Sequence, residues 1–548
     1  MVRDLRTNKS ITPVPSYKMT GMNLNTSLLK AVSQFPDRVA VSDGMKRLTY
    51  EELGKRVGAL VEVFNNLGLE AGDVVACLAP NCHEYLELYY GCAFARTVLN
   101  PLNFRLGPLE ISSILKDSSA RVLVAHSDFK ELALAALAEL DDPDLVVLWL
   151  GSIQKPEPQK AYKYEPKLLS KWGAELPDTQ AAPDDLAQLY YTSGTTGNAK
   201  GVMLSHRNVA TNAAAAIAEL SLDDSETWAH IAPMFHLVDA WAVWAITWVG
   251  GKHTFMSYFK PEEALKLFET ESVTRTALVP TMLSSMLSSP SAWEYSYNSL
   301  RAIMTAGSPV APDLVRQVNE IFRCDFVQFY GMTETSPFLT VSIPYARDLN
   351  KPGHVTQEIR AKTGRPLYFC EVKVVRENGE QVARDNLEVG EIIARGPNVT
   401  AGYWQQPEIT ARTIIDGWIH TGDLAVIDES GYINIVDRKK DMIITGGENV
   451  YSTEVEHVLY DHPSVYECAV IGVPDEKWGE AIKAWIVLHK NMSTTEDDLI
   501  AFVKERLAHY KAPRIIEFVD ELPKTGSGKI YKKQLRDLSW QGYEKKVH

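Results

Sequence analysis

Tyr190-Tyr191-Thr192-Ser193-Gly194-Thr195-Thr196-Gly197-Asn198-Ala199-Lys200-Gly201 crowds hydroxyls, glycines and one lysine into a loop. Its lead-in, Leu189-Tyr190-Tyr191, reads as the end of a buried strand. The alanine-rich run from Val209 to Leu220 after it reads as a helix. Glycines let the backbone turn sharply and bring its N–H groups close to a ligand. The hydroxyls and the Lys200 ammonium add donors and positive charge, so a polyphosphate is the guest that fits. A Walker A loop is excluded by spacing, because Lys200 is preceded by Ala199 and followed by Gly201. Taken alone, the loop also reads as a polar surface turn.

Outward from this loop, short apolar runs alternate with amphipathic segments through the first two thirds of the chain. Asp73 to Ala79, Arg121 to Ala125 and Leu145 to Leu150 read as strands, with a helix from Tyr85 to Phe94. This rhythm predicts an α/β fold whose parallel sheets are covered by helices. Gln154 to Lys167 reads as a loop or linker. From about Glu371 short strands and turns take over (Glu371 to Val375, Glu391 to Ala394, Tyr432 to Val436), which predicts a β-barrel-like subdomain. The charged run Asp437-Arg438-Lys439-Lys440-Asp441 then reads as a connector to a small α+β domain. We therefore expect a large N-terminal domain over 1–437, with its β subdomain from about residue 365, and a small C-terminal domain over 438–548.

The chain has 548 residues and a net charge of -14, which argues against a general nucleic-acid surface. Six cysteines (Cys77, Cys82, Cys92, Cys324, Cys370, Cys468) form no CxxC pair and read as buried free thiols of a reducing, cytoplasmic setting. The basic N-terminus (Arg3, Arg6, Lys9, Lys18) lacks the apolar core of a secretory signal, and an organellar transit segment is the alternative. Ala240 to Gly251 is apolar but shorter than the ~20 residues of a membrane span. Its Trp241, Trp244 and Trp248 share one helical face.

Three further motifs carry chemistry. Tyr330-Gly331-Met332-Thr333-Glu334-Thr335 follows an apolar strand and sets hydroxyls and a carboxylate on a glycine turn, a donor set that suits Mg²⁺ and phosphate; a helix-capping acid is the competing reading of Glu334. Gly417-Trp418-Ile419-His420-Thr421-Gly422-Asp423-Leu424 places an aspartate on a tight turn, where it can accept both hydroxyls of a ribose or close an Asx-turn. Pro523-Lys524-Thr525-Gly526-Ser527-Gly528-Lys529-Ile530 is a glycine loop able to deliver a lysine to another domain, or a solvated turn.

Together these segments resemble the adenylate-forming superfamily of acyl-CoA synthetases, luciferases and nonribosomal peptide adenylation domains, from about Leu24 to Leu538. The family pattern has a proline before the loop lysine, where this chain has Ala199. The resemblance implies that Thr192, Ser193, Gly194, Thr195, Thr196 and Lys200 hold the β- and γ-phosphates of ATP. Tyr330 would stack on adenine near Ala306 and Gly307, Thr333 would contact the α-phosphate, and Glu334 would bind Mg²⁺. Asp423 would take the ribose hydroxyls and Arg438 ribose or phosphate. Lys529 would bridge carboxylate and α-phosphate in the first step. The small domain would then swing about a hinge at Lys440, and Gly446 and Gly447 would line the path of the coenzyme A thiol. Lys477-Trp478-Gly479-Glu480 is similar to another segment near that face.

Pro233-Met234-Phe235-His236-Leu237 matches the family's acid-pocket motif, with His236 near the reacting carboxylate. Gly331 and Trp241 join that pocket, Trp241 standing one residue from the place of a gating tryptophan in long-chain relatives. Asp239 does not match the position at which amino-acid-activating relatives hold the ammonium. These features imply an ATP-dependent acyl-CoA synthetase for a medium- or long-chain fatty acid, releasing AMP and pyrophosphate. A short thioether or aromatic acid, or loading of a carrier protein, is the alternative. No Leu-Gly-Gly-x-Ser site for a fused carrier occurs. The expected partners are therefore a small carboxylic acid, ATP and coenzyme A, without nucleic acid or membrane span; dimerisation, known among long-chain relatives, is left open.

Overall fold

The computed structural model describes residues 22–158, 160–178, 181–193, 199–307, 310, 312–475, 477–524 and 530–540. Four sheets organise them. The seven-stranded sheet runs, edge to edge, through Ala161–Lys163, Val146–Leu150, Ala120–His126, Val74–Leu78, Val98–Pro101, Leu186–Ser193 and Ala199–Ser205. Its pairings are parallel except the last, an antiparallel hairpin in which Thr192 faces Lys200. A strand therefore separates the phosphate-loop candidate from the helix His206–Leu220. Thr192 and Ser193 still belong to the first strand, and Gly194, Thr195 and Thr196 lie outside the described residues.

The nine-stranded sheet has a parallel middle formed by Val39–Asp43, Lys252–Phe255, Thr227–His230, Arg275–Leu278, Ala302–Ala306 and Asp325–Gly331. Both faces of such strands are buried, so they read as unbroken apolar runs: Ala302–Ala306 is buried at every position. Between the sheets lies one large apolar core, to which Leu237–Val249 contributes Trp241 and Trp244, each 1% exposed. The tryptophan stripe is core at two of its three positions; Trp248 is half-buried.

The β subdomain is a five-stranded antiparallel sheet in the order Glu371–Val375, Gly390–Arg395, Trp418–Ile427, Ile414–Ile415, with Ile433–Arg438 also on Trp418–Ile427. It does not close: no ladder joins its first and last strands among the described residues. Its ten-residue strand Trp418–Ile427 contains Asp423, so that aspartate sits in a strand and not in an Asx-turn. Gln154 to Lys167, expected as a plain linker, holds the edge strand Ala161–Lys163 and the start of the helix Tyr164–Leu169.

The C-terminal α+β region pairs Val465–Asp475 with Gly479–Leu488, flanked by Ile443–Thr445, Glu448–Val450 and the parallel strand Ile515–Phe518. It has its own cores, one on each face of the sheet. All six cysteines are free, Cys370 half-buried and the others buried. Among the described residues no helix is long and apolar enough to cross a membrane.

Candidate active site

The carboxyl ends of two parallel neighbours, Ala302–Ala306 and Asp325–Gly331, lie side by side, with Ala306 opposite Phe329. This register sets Tyr330 and Gly331 beside Ala306 and Gly307, at the strand ends where open α/β sheets bind ligands. Gly331 permits a close approach: a Cβ there would sit 1.9 Å from Pro337 O, so no other residue fits without moving backbone. Gly307 has φ +94°, a left-handed conformation suited to glycine.

Asp423 is the meeting point of two groups. Tyr330 donates its hydroxyl to Asp423 Oδ2 at 2.8 Å, and Arg438 Nε lies 3.2 Å from Oδ1. Burial, and then the Asp423 charge, push the Tyr330 phenol well above its ordinary value, so it stays a donor. Asp423 and Arg438 are paired residues of the ladder between Trp418–Ile427 and Ile433–Arg438.

Glu334 sits in the single helical turn Thr333–Thr335 and is 7% exposed. Burial raises its carboxyl above the ordinary range. Its Oε1 accepts the Tyr403 hydroxyl at 2.7 Å. Lys200 Nζ stands 5.4 Å over the ring of the same tyrosine. The segment from Asn398 to Trp404, which the sequence motifs do not single out, binds both neighbours. Asn398 donates to Thr335 O and Phe338 O, and Thr400 N–H to Glu334 O. On the other side Trp404 N–H donates to Gly201 O, Met203 N–H to Gly402 O, and Thr400 Oγ1 to Met203 O. The lone signal in the sequence is the aromatic pair Tyr403-Trp404 after a glycine.

At the acid-pocket motif, His236 precedes the helix Leu237–Val249, its ring 4.5 Å from Phe235. Trp241 packs against Trp228 (5.0 Å), Phe338 (5.4 Å) and Phe329 (6.3 Å). Asp239 turns inward: its oxygens accept from Trp228 Nε1 at 3.1 Å and pair with His230 Nδ1 at 2.5 Å. Fully buried with these partners, it is not presented to a substrate ammonium.

Beyond Arg438 the chain changes partners. Lys440 lies exposed in a turn. Gly446 and Gly447 (φ +61° and +84°) form the tip of the hairpin between Ile443–Thr445 and Glu448–Val450. Gly446 N–H donates to Trp478 O at 2.8 Å and Ile444 N–H to Glu480 Oε2 at 2.8 Å, so the Gly-Gly and Lys477–Glu480 segments adjoin. Among the described residues, no hydrogen bond or ion pair links this tip to the Tyr330–Asp423 cluster. Lys529 lies outside the described residues.

A family model for AMP-binding enzymes matches residues 28–404, and one for the AMP-binding enzyme C-terminal domain matches 454–529. A feruloyl-CoA synthase of Amycolatopsis sp is 39% identical over 519 residues, covering 94% of this chain and 99% of its own. The fatty acid–[acyl-carrier-protein] ligase ScoC of Streptomyces coeruleorubidus is 35% identical, covering 94% and 96%. The crystal structure of ATP-bound MatB from Rhodopseudomonas palustris superposes with a TM-score of 0.82 at 29% identity, over 95% of this chain and all of that one. The chain therefore belongs to the AMP-binding enzymes of the adenylate-forming superfamily.

Proposed function

We propose that the protein is an AMP-forming acid–thiol ligase that condenses an aromatic carboxylic acid with ATP to an acyl-adenylate and passes the acyl group to coenzyme A. The nucleotide half of this reading is supported by Asp423, a carboxylate held by the Tyr330 hydroxyl on one oxygen and the Arg438 guanidinium on the other, beside the strand ends of Ala306 and Tyr330. Tyr330 offers its ring to adenine beside Ala306 and Gly307. Thr333 faces the α-phosphate, and Thr192, Lys200 and the loop between them take the β- and γ-phosphates. Lys529 is assigned to the carboxylate and α-phosphate. An ionised carboxylate needs no general base. Two anions must meet, so the enzyme's contribution is positioning and cationic charge, and Lys200, Arg438 and Lys529 supply it.

Glu334 suits a magnesium ion: its carboxylate accepts the Tyr403 hydroxyl on Oε1 and is flanked by Thr333 and Thr335 in the same turn, and Mg²⁺ favours one or two carboxylates completed by water and phosphate. When bound, the ion would neutralise charge on the polyphosphate.

The acid assignment rests on packing. Trp241, 1% exposed, is packed against the rings of Trp228, Phe329 and Phe338, and Phe329 and Phe338 lie on the strands that flank the Gly331 turn. A flat aryl group is the acid that stacks best against such an aromatic cluster, and the 39% identical feruloyl-CoA synthase supports the same choice. A medium- or long-chain fatty acid is the second reading. It is favoured because the Trp241 N–H donates to Val238 O of its own helix, so among the described residues swinging the indole aside breaks no hydrogen bond between elements.

For the second half-reaction we place the domain boundary between Asp437 and Arg438 and the hinge at Lys440. Gly446 and Gly447 then border the thiol's path. The deciding experiment measures pyrophosphate release with Mg-ATP over hydroxycinnamic, benzoic, fatty and thioether acids, with and without coenzyme A. Aryl-CoA formation at a kcat/KM at least tenfold above that for C8–C16 fatty acids is expected. Preference for the fatty acids would reverse the acid assignment, and release indifferent to coenzyme A would remove the thiol acceptor.

A further inference from the structure

Glu334 and Lys200 are opposite charges gathered around one tyrosine, both assigned above to the phosphate end of ATP, and such neighbours ordinarily pair with each other. Here they do not: no ion pair joins them among the described residues. Tyr403 stands between, its hydroxyl 2.7 Å from Glu334 Oε1 and its ring 5.4 Å from Lys200 Nζ. The tyrosine is 6% exposed and fixed at its backbone, where its N–H donates to Thr410 Oγ1 and the chain bridges Val202.

We propose that Tyr403 is a positioning residue that keeps the acid and the ammonium apart, holding each by a different part of one side chain. The hydroxyl fixes one carboxylate oxygen and turns the other outward to a cation. The π-face holds the ammonium through the ring quadrupole, an attraction weak enough to release it to a phosphate. Without this spacer the two charges would neutralise each other, and both magnesium and polyphosphate would have to compete with an internal salt bridge. This rests on the reading of Glu334 as the metal carboxylate.

The test is binding of α,β-methylene-ATP, which cannot be cleaved at the reacting bond, titrated calorimetrically at a series of Mg²⁺ concentrations. In Tyr403→Phe the Mg²⁺ midpoint should rise roughly tenfold, the loss of one hydrogen bond to a charged group, while affinity for the metal-free analogue stays within twofold. Tyr403→Leu should also weaken the metal-free analogue several-fold. In a Glu334→Gln background, Tyr403→Phe should shift the midpoint no further. A Tyr403→Phe enzyme that melts normally and keeps the parental midpoint overturns the proposal, as does an undiminished shift in the Glu334→Gln background. If the parental enzyme binds the analogue without regard to Mg²⁺, the metal reading falls and the proposal with it. If Mg²⁺ dependence is present but blind to Tyr403, only the proposal falls.

Discussion

Arg438 and Asp437 are neighbours on one strand, yet they serve different halves of the molecule. Successive side chains of a strand point to opposite faces. Arg438 turns to Asp423, which also accepts the Tyr330 hydroxyl, the cluster proposed to bind the nucleotide. Asp437 turns to the C-terminal region, where it accepts the Ser452 N–H and hydroxyl. Around Asp437 the bonds are largely ionic: Lys532 reaches Glu456 (2.7 Å) and Ser452, and Arg536 pairs with Asp441. Around Glu334 and Asp423 they are mostly hydroxyl–carboxylate and backbone bonds, fixed by long strands and a zipped segment. One side is thus held mainly by neutral donors on carboxylates and by backbone bonds, whereas the other depends on buried charges that must stay paired.

The strongest way to break the side proposed to hold the nucleotide is Asp423→Ala, which strands a buried phenol and a guanidinium and removes the carboxylate assigned to the ribose. Two charge-assisted hydrogen bonds are worth about 3–4 kcal/mol, so acid-dependent ATP–pyrophosphate exchange should fall by several hundredfold. A loss under threefold would empty Asp423 of its role. On the other side, Lys532→Met leaves Glu456 and Asp437 buried without their cation. Removing one member of a buried pair should destabilise the C-terminal region by about 3 kcal/mol. Hydrogen exchange over Val465–Asp475 and Gly479–Leu488 would show it, and the N-terminal sheets should exchange as before.

Acid separates the two sides further. Burial holds His206, 1% exposed, down to about 4 from an ordinary 6.5. A depressed histidine is neutral in the fold, so its contribution is complete above pH 6.5 and lost as pH falls toward 4. That is about 3 kcal/mol, which His206→Gln should largely abolish as a pH-dependent slope. Asp437 and Glu456 run the other way: burial raises both, so their contribution is present at low pH and declines as pH rises through their folded values. Melting curves between pH 4 and 8 that move both regions together would contradict this. The smallest effect is expected at Lys440→Pro, which stiffens the exposed turn without touching either cluster. Thioester formation from supplied acyl-AMP should slow roughly tenfold with adenylation intact. An unchanged thioester rate would remove Lys440 from the hinge.

Motifs that pack several chemical residue types together stand out in the sequence as stretches: residues 190–201, Tyr330 to Thr335, and Gly417 to Leu424, although the strand after the first reads there as the lead-in to a helix and the strand holding Asp423 as a turn. Each needs only local spacing to be read. Tyr403 was not legible, because its role depends on Glu334, 69 residues away, and on backbone bonds that leave no periodic trace. The strand Trp418–Ile427 hid for a related reason. His420, Thr421 and Gly422 interrupt its apolar alternation, and the Gly422 backbone at φ +73° is what a turn would show. Asp437 reads as part of a charged connector, since nothing nearby in sequence announces that Ser452, fifteen residues on, will cap it. The α/β class and the division into sheets followed from patterning, which tertiary contacts reinforce.

The zipped segment has one more consequence. Ala199–Ser205 is the outermost strand of its sheet, and a bare outer strand is a template on which another chain can add. Met203 and Gly201 spend their outward backbone groups on Gly402 and Trp404, so this margin is already covered. Translation delivers that cover about two hundred residues after the strand it protects. A nascent or truncated chain ending before Thr400 therefore carries the nucleotide hairpin as a sticky border, and its solubility, more than its activity, should mark where the chain was cut.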